Sequence, residues 1–139
     1  MPSRQQTLDQ KRAKQAWEDV QEAKQRSPEF RKKYGSLARR VPMLVLTNGL
    51  GQTLAFLFSK AKPHEKNRGA EAQASDVLFE HLSRWTLSQV DPNFDGTLLS
   101  WVIQTNSTAY RRATIEALAY LGWLKRFAEA ELPTEEEEG

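Results

Sequence analysis

The chain has two histidines, His64 and His81, and these are the first residues to question about catalysis. Neither has a nucleophile or a paired carboxylate at a useful spacing. No triad and no His-Glu-x-x-His zinc motif is therefore present. The pattern predicts His81 as a packed histidine on an apolar helix face with a satisfied ring nitrogen. His64 is predicted as a solvated loop residue. Cysteine is absent, which removes disulfides, thiolate metal sites and thiol nucleophiles. The expectation is a protein that is not an enzyme, with no catalytic residue, no metal and no cofactor.

Two further segments have the outline of a site. Asp91-Pro-Asn93-Phe-Asp95-Gly96 matches the first half of a calcium-binding EF-hand loop, with oxygen ligands at positions one, three and five and glycine at six. The twelfth position, which needs a bidentate Glu, is Val102, so a turn followed by a helix cap explains the residues better. Gly49-Leu-Gly51 is a fragment of a dinucleotide fingerprint, but Leu54 occupies the third glycine position and no strand precedes it.

The cations form the strongest pattern. Lys11, Arg12 and Lys14 make one cluster, and Arg31, Lys32, Lys33, Arg39 and Arg40 a second. Lys60, Lys62, Lys66 and Arg68 make a third, and Arg111-Arg112 a fourth. Net charge is only +2, yet residues 1–68 hold 15 Lys+Arg against 6 Asp+Glu, and residues 69–139 hold 5 against 12. One-signed charge on a rigid surface attracts a polyanion, and phosphate contacts of this kind give affinity without sequence preference. Lys32, Arg39, Arg40, Lys60, Arg111 and Arg112 are the candidate nucleic-acid contacts. No helix-turn-helix, zinc finger or RNP motif is present to read bases.

The elements that must position these residues are helical throughout, because no strand alternation persists. The periodicity predicts an all-α, single-domain bundle of about five to six helices over residues 1–132, with an internal linker at 61–70. Residues 133–139, rich in Glu, are predicted as a disordered acidic tail. A first helix is expected from about Ser3 to Arg26, docked through Ala13, Ala16, Trp17 and Val20. Ser27-Pro28 starts a second, with Phe30, Tyr34, Leu37 and Val41 on one arc. Pro42 is expected to break or start a helix, making residues 43–60, apolar nearly all round, the core helix. Residues 71–90 form another helix. Asp95 is expected to cap the next, and a last helix spans roughly Ser107 to Glu131. Trp123 and Ile115 fall outside its apolar arc and are candidate subunit contacts, since an aromatic anchor among polar neighbours is typical of interfaces.

Val41 to Phe58 carries no formal charge over 18 residues, about the minimum for a membrane span. Its Pro, Asn, Gly, Gln and Thr content argues instead for a buried helix. The polar, basic N-terminus has no secretory apolar stretch behind it, so a cytoplasmic, non-membrane protein is expected.

Two segments resemble a known family. Tyr34 to Lys60, YGSLARRVPMLVLTNGLGQTLAFLFSK, is similar to the N-terminal signature of the CRISPR Cmr small-subunit family. Tyr110, together with Glu116-Ala-Leu-Ala-Tyr-Leu-Gly-Trp123-Leu-Lys125-Arg126-Phe127-Ala128, is similar to its C-terminal signature. They cover about a third of the chain, in the right order. The resemblance implies the small helical subunit, fifth in name, of the type III-B Cmr effector, an all-α protein with no catalysis of its own. It implies as partners the backbone and large subunits, neighbouring copies of itself, and crRNA and target RNA along a basic face. The related type III-A small subunit is the neighbouring family, and the two signatures fit the Cmr version better. A protein–protein adaptor without RNA contact is the competing reading of the same cations.

Overall fold

The structure is a computed structural model, describing residues 6–133. Six α-helices and no strands occur among the described residues: α1 Leu8–Lys24, α2 Pro28–Asn48, α3 Leu50–Ala61, α4 Ala70–Val90, α5 Leu98–Gln104 and α6 Ser107–Glu131. The all-α bundle is as the periodicity predicts. The acidic run Glu135–Glu138 lies outside the described residues.

Cap chemistry sets most boundaries. Thr7 and Gln10 form a capping box, so α1 starts at Leu8 rather than near Ser3; Gln6 and Thr7 are non-helical, and residues 3–5 lie outside the described part. Ser27 caps α2 and Pro28 takes its first turn, as expected. Thr97, not Asp95, caps α5, its hydroxyl paired with the Ser100 backbone N–H. Asn106 caps α6 through the N–H of Ala109.

The largest departure concerns Pro42. It lies inside α2, and the chain breaks seven residues later, at Gly49. A proline within a helix forfeits one hydrogen bond and crowds a carbonyl, at a cost of about 3 kcal/mol. Here the buried row Leu37, Ala38, Val41 and Val45 continues through it, and that packing offsets the loss. Gly49 has φ +90°, a conformation side-chain-bearing residues rarely adopt, so the turn falls there. Residues 43–60 are therefore two helices, not one. Nor are they the centre of the fold, for Met43 and Leu46 are 61% and 65% exposed.

That place belongs to α4, which packs against α2, α3, α5 and α6. Its Ala74, Leu78 and Leu82 are buried with Phe30, Tyr34, Leu50, Leu54, Leu57, Leu98, Tyr120, Leu121 and Leu124. Contacts along the helices fix their directions. Arg12 meets Glu116, Trp17 meets Phe127 and Gln21 meets Glu131, so α1 runs alongside α6 in the same direction. Arg39 faces Glu129, and just past the end of α2 the Gly51 N–H donates to the Tyr110 hydroxyl at 2.8 Å, so α2 runs opposite to α6. Gly35 lies so close to the end of α6 that a Cβ there would run into the Pro133 carbonyl. Among the described residues no helix is long and apolar enough to cross a membrane.

Candidate nucleic-acid interface

The fold joins charges that are far apart in sequence. Arg12 donates to both oxygens of Glu116, at 2.7 and 2.8 Å, and Glu116 also accepts from the Trp85 indole at 3.0 Å. Burial alone would raise the Glu116 carboxyl. The hydrogen bonds from Arg12 and Trp85, with the Arg12 charge, outweigh burial and hold it below its ordinary value. Arg12 is raised in turn, by the hydrogen bond to Glu116 above all, then by the Glu116 charge and by Asp9, against burial.

A second cluster lies deeper, between α1, α2, α4 and α6. His81 shares hydrogen bonds with the Tyr34 hydroxyl at 2.7 Å and with Glu22 at 3.1 Å. Asp19 accepts from Gln15, Arg84 and Tyr120. Burial, acting with nearby Asp19 and Glu22, pushes the Tyr34 phenol well up; burial, then Tyr34 and Asp19, does the same to Tyr120, so both remain O–H donors. His81 is thus the packed, satisfied histidine that the sequence predicts. Its carboxylate neighbours were invisible there because they come from α1, 59 and 62 positions away. Asp19, Glu22 and His81 offer ligand atoms within 4.8 Å of one another, the only such group among the described residues. A cation would have to displace Arg84 and Gln15 from Asp19, so the cluster acts as an internal pin for α1.

Pairing within the fold consumes part of the charge asymmetry. Lys24 pairs with Glu131, Arg68 with Asp76, and Arg84 with Asp19. Among the predicted contacts, Lys32 pairs with Glu29 at 3.4 Å, and Arg39 and Lys60 approach Glu129 and Glu71 at 4.0 Å. Arg40, Arg111 and Arg112 are exposed and form no ion pair among the described residues.

Three helices bring part of the predicted set together. Lys33 and Arg40 of α2, Phe56 and Lys60 of α3, and Glu71 and Ser75 of α4 line one cavity of about 140 Å³. Lys32 and Arg39, on the same helix, do not line it. Arg111 borders a different cavity with Asn106, Tyr110 and Thr114, at the opposite end of α2 from the Gly35–Pro133 contact. The sequence reading missed Phe56. Its signal was the four-residue spacing to Lys60, which puts the two on one helix face; the Lys60 ammonium lies 5.8 Å from the ring centroid. Of the two candidate subunit contacts, Ile115 is 63% exposed. Trp123 is half-buried, tilted against Phe127, and its indole donates to Asp9 at 3.1 Å.

A family model described as CRISPR-associated protein (Cas_Cmr5) matches residues 8–131, from the first residue of α1 to the last of α6. The CRISPR system Cmr subunit Cmr5 of Thermus thermophilus is 33% identical over 118 residues, covering 85% of this chain and 90% of that one. The crystal structure of a CRISPR-associated Cmr5 family protein from the same organism superposes with a TM-score of 0.69 at 29% identity, covering 91% and 99% of the two chains.

Proposed function

The chain belongs to the CRISPR-associated Cmr5 family, and on that premise we propose that it is a non-catalytic small subunit of a Cmr effector that helps assemble the complex and binds target RNA along the guide. The observation that carries the RNA reading is the groove lined by Arg40 and Lys60, with Lys33 beside them and Glu71 the one acid among its described lining residues. Cations held on rigid helices contact phosphates without reading sequence, and each phosphate contact releases counterions, which makes binding salt-dependent. One feature supports the non-catalytic reading: the one histidine–carboxylate cluster among the described residues is closed by hydrogen bonds from its own chain.

The partners on this reading are the backbone and large subunits, neighbouring copies of this chain, and the crRNA–target duplex. Replacing Arg40 and Lys60 together with Glu tests the groove in the assembled complex. Target-RNA affinity is expected to fall at least tenfold, with a shallower dependence on salt. Retention of wild-type affinity and salt slope by the double variant would falsify the assignment.

One observation favours protein contacts on other surfaces. Met43 and Leu46 on α2, Ile103 on α5 and Ile115 on α6 are large apolar side chains at 61 to 76% exposure. With Trp123 they are the proposed subunit contacts. Cross-linking the assembled particle with photoreactive RNA separates the readings: adducts on α2 and α3 place RNA at the groove, and their absence leaves an adaptor.

A further inference from the structure

Phe56 lines two cavities at once. On one side is the cationic groove; on the other, a cavity bordered by Leu44, Thr47, Asn48, Gln52 and Thr53. Gln52, Phe56 and Lys60 recur every four residues, forming one stripe along α3 about 12 Å long at 1.5 Å per residue. The stripe therefore runs from an amide, through an aromatic ring, to a cation. Asn48 and Gln52 are exposed amides with no hydrogen-bond partner among the described residues.

We infer that this stripe takes an unpaired nucleotide of the bound RNA: its phosphate at Arg40 and Lys60, its base stacked on Phe56, and the base edge toward Gln52 and Asn48. The inference rests on the RNA reading of the groove and adds the form of nucleic acid it accepts. Aromatic faces flanked by cations bind single strands because every base has a π-face, whereas a paired base inside a duplex cannot reach such a ring. An acidic peptide would satisfy the cations but leave the ring and the amides unused.

The test uses the full chain at low salt with a single-stranded RNA carrying 2-aminopurine, and the same RNA made abasic. Wild type should quench the probe and prefer intact over abasic RNA by about five- to tenfold, as one stacked base provides. Phe56→Leu should lose the quenching and the preference while binding abasic RNA as wild type does; Phe56→Trp should keep both. Gln52→Ala, on an exposed residue, should narrow the preference without changing the melting temperature. If wild type binds abasic and intact RNA equally, or Phe56→Leu weakens both alike, the stacking inference is overturned while the phosphate reading stands. If Arg40→Glu with Lys60→Glu binds intact RNA as wild type does, the phosphate reading fails too. Competition by a poly-glutamate peptide as effective as RNA at equal charge would make the groove a protein site and overturn the inference.

Discussion

Along α1, Arg12 is clamped by two hydrogen bonds to Glu116 and keeps 18% of its side chain exposed; on α2, Arg40 is exposed and has no carboxylate partner among the described residues. Both are arginines in the basic half of the chain. The first joins two helices, and the second is available to a ligand. The difference lies in what packs opposite: α6 presents Glu116 to Arg12, while Arg40 faces a groove whose other walls carry, among the described residues, Lys60 and a single Glu. A cation's sequence cluster therefore says little about its task. Whether the fold supplies an acid within reach decides it.

The sharpest way to break this contrast is to remove an acid from the buried side. Glu116→Ala leaves the Arg12 guanidinium and the Trp85 indole without their acceptor, and stability should fall by about 3 kcal/mol, roughly 10 °C in melting temperature. Asp19→Ala should cost nearly as much, since it strands Tyr120 and Gln15; Arg84→Ala, on a side chain 61% exposed, should cost less than about 1 kcal/mol. If all three variants melt together, the buried seam is not what holds α1.

Next in size is Gly35→Ala. The added methyl meets the Pro133 carbonyl, and displacing the end of α6 should cost about 1–3 kcal/mol. Urea unfolding measures it, and a neutral result would show that this end of α6 yields.

Acid supplies a graded version of the first test. Glu116 is depressed in the folded chain, so its contribution is complete above the unfolded value of about 4.3 and disappears as pH falls through the lower folded value. Melting temperatures between pH 6 and 3 should therefore drop more steeply for wild type than for Glu116→Gln. Parallel curves would assign acid sensitivity to other carboxylates.

The smallest expected stability effect belongs to the groove. Arg40→Glu with Lys60→Glu should move unfolding free energy by no more than about 0.5 kcal/mol, since Arg40 has no ion pair among the described residues and Lys60 comes only within 4.0 Å of Glu71. The same pair carries the largest predicted RNA effect. A large loss of stability would mean that the groove, like the seam, is an internal joint.

Much of this molecule was legible in the residues. Helical periodicity, the Ser27-Pro28 start of α2 and the limits of α6 depend on local chemistry within a few positions, and they agree with the structure. The two family signatures fall in α2–α3 and α6, and the family match spans both. Where a local rule met tertiary packing, packing prevailed. Pro42 remained helical because buried side chains continue on both sides of it, and the break moved to Gly49, which takes a positive φ without a Cβ to strain. The charge halves were also read locally, and there the reading was incomplete. Periodicity reports which face a side chain occupies, not which face of another helix comes to meet it. Only the packing of α1 on α6 and of α4 on α2 and α3 determined that Arg12 and His81 are internal joints. The same packing left Arg40, Lys60 and Phe56 to share an open groove, because a charge is neutralised by what lies within a few ångströms and not by what lies nearby in the chain.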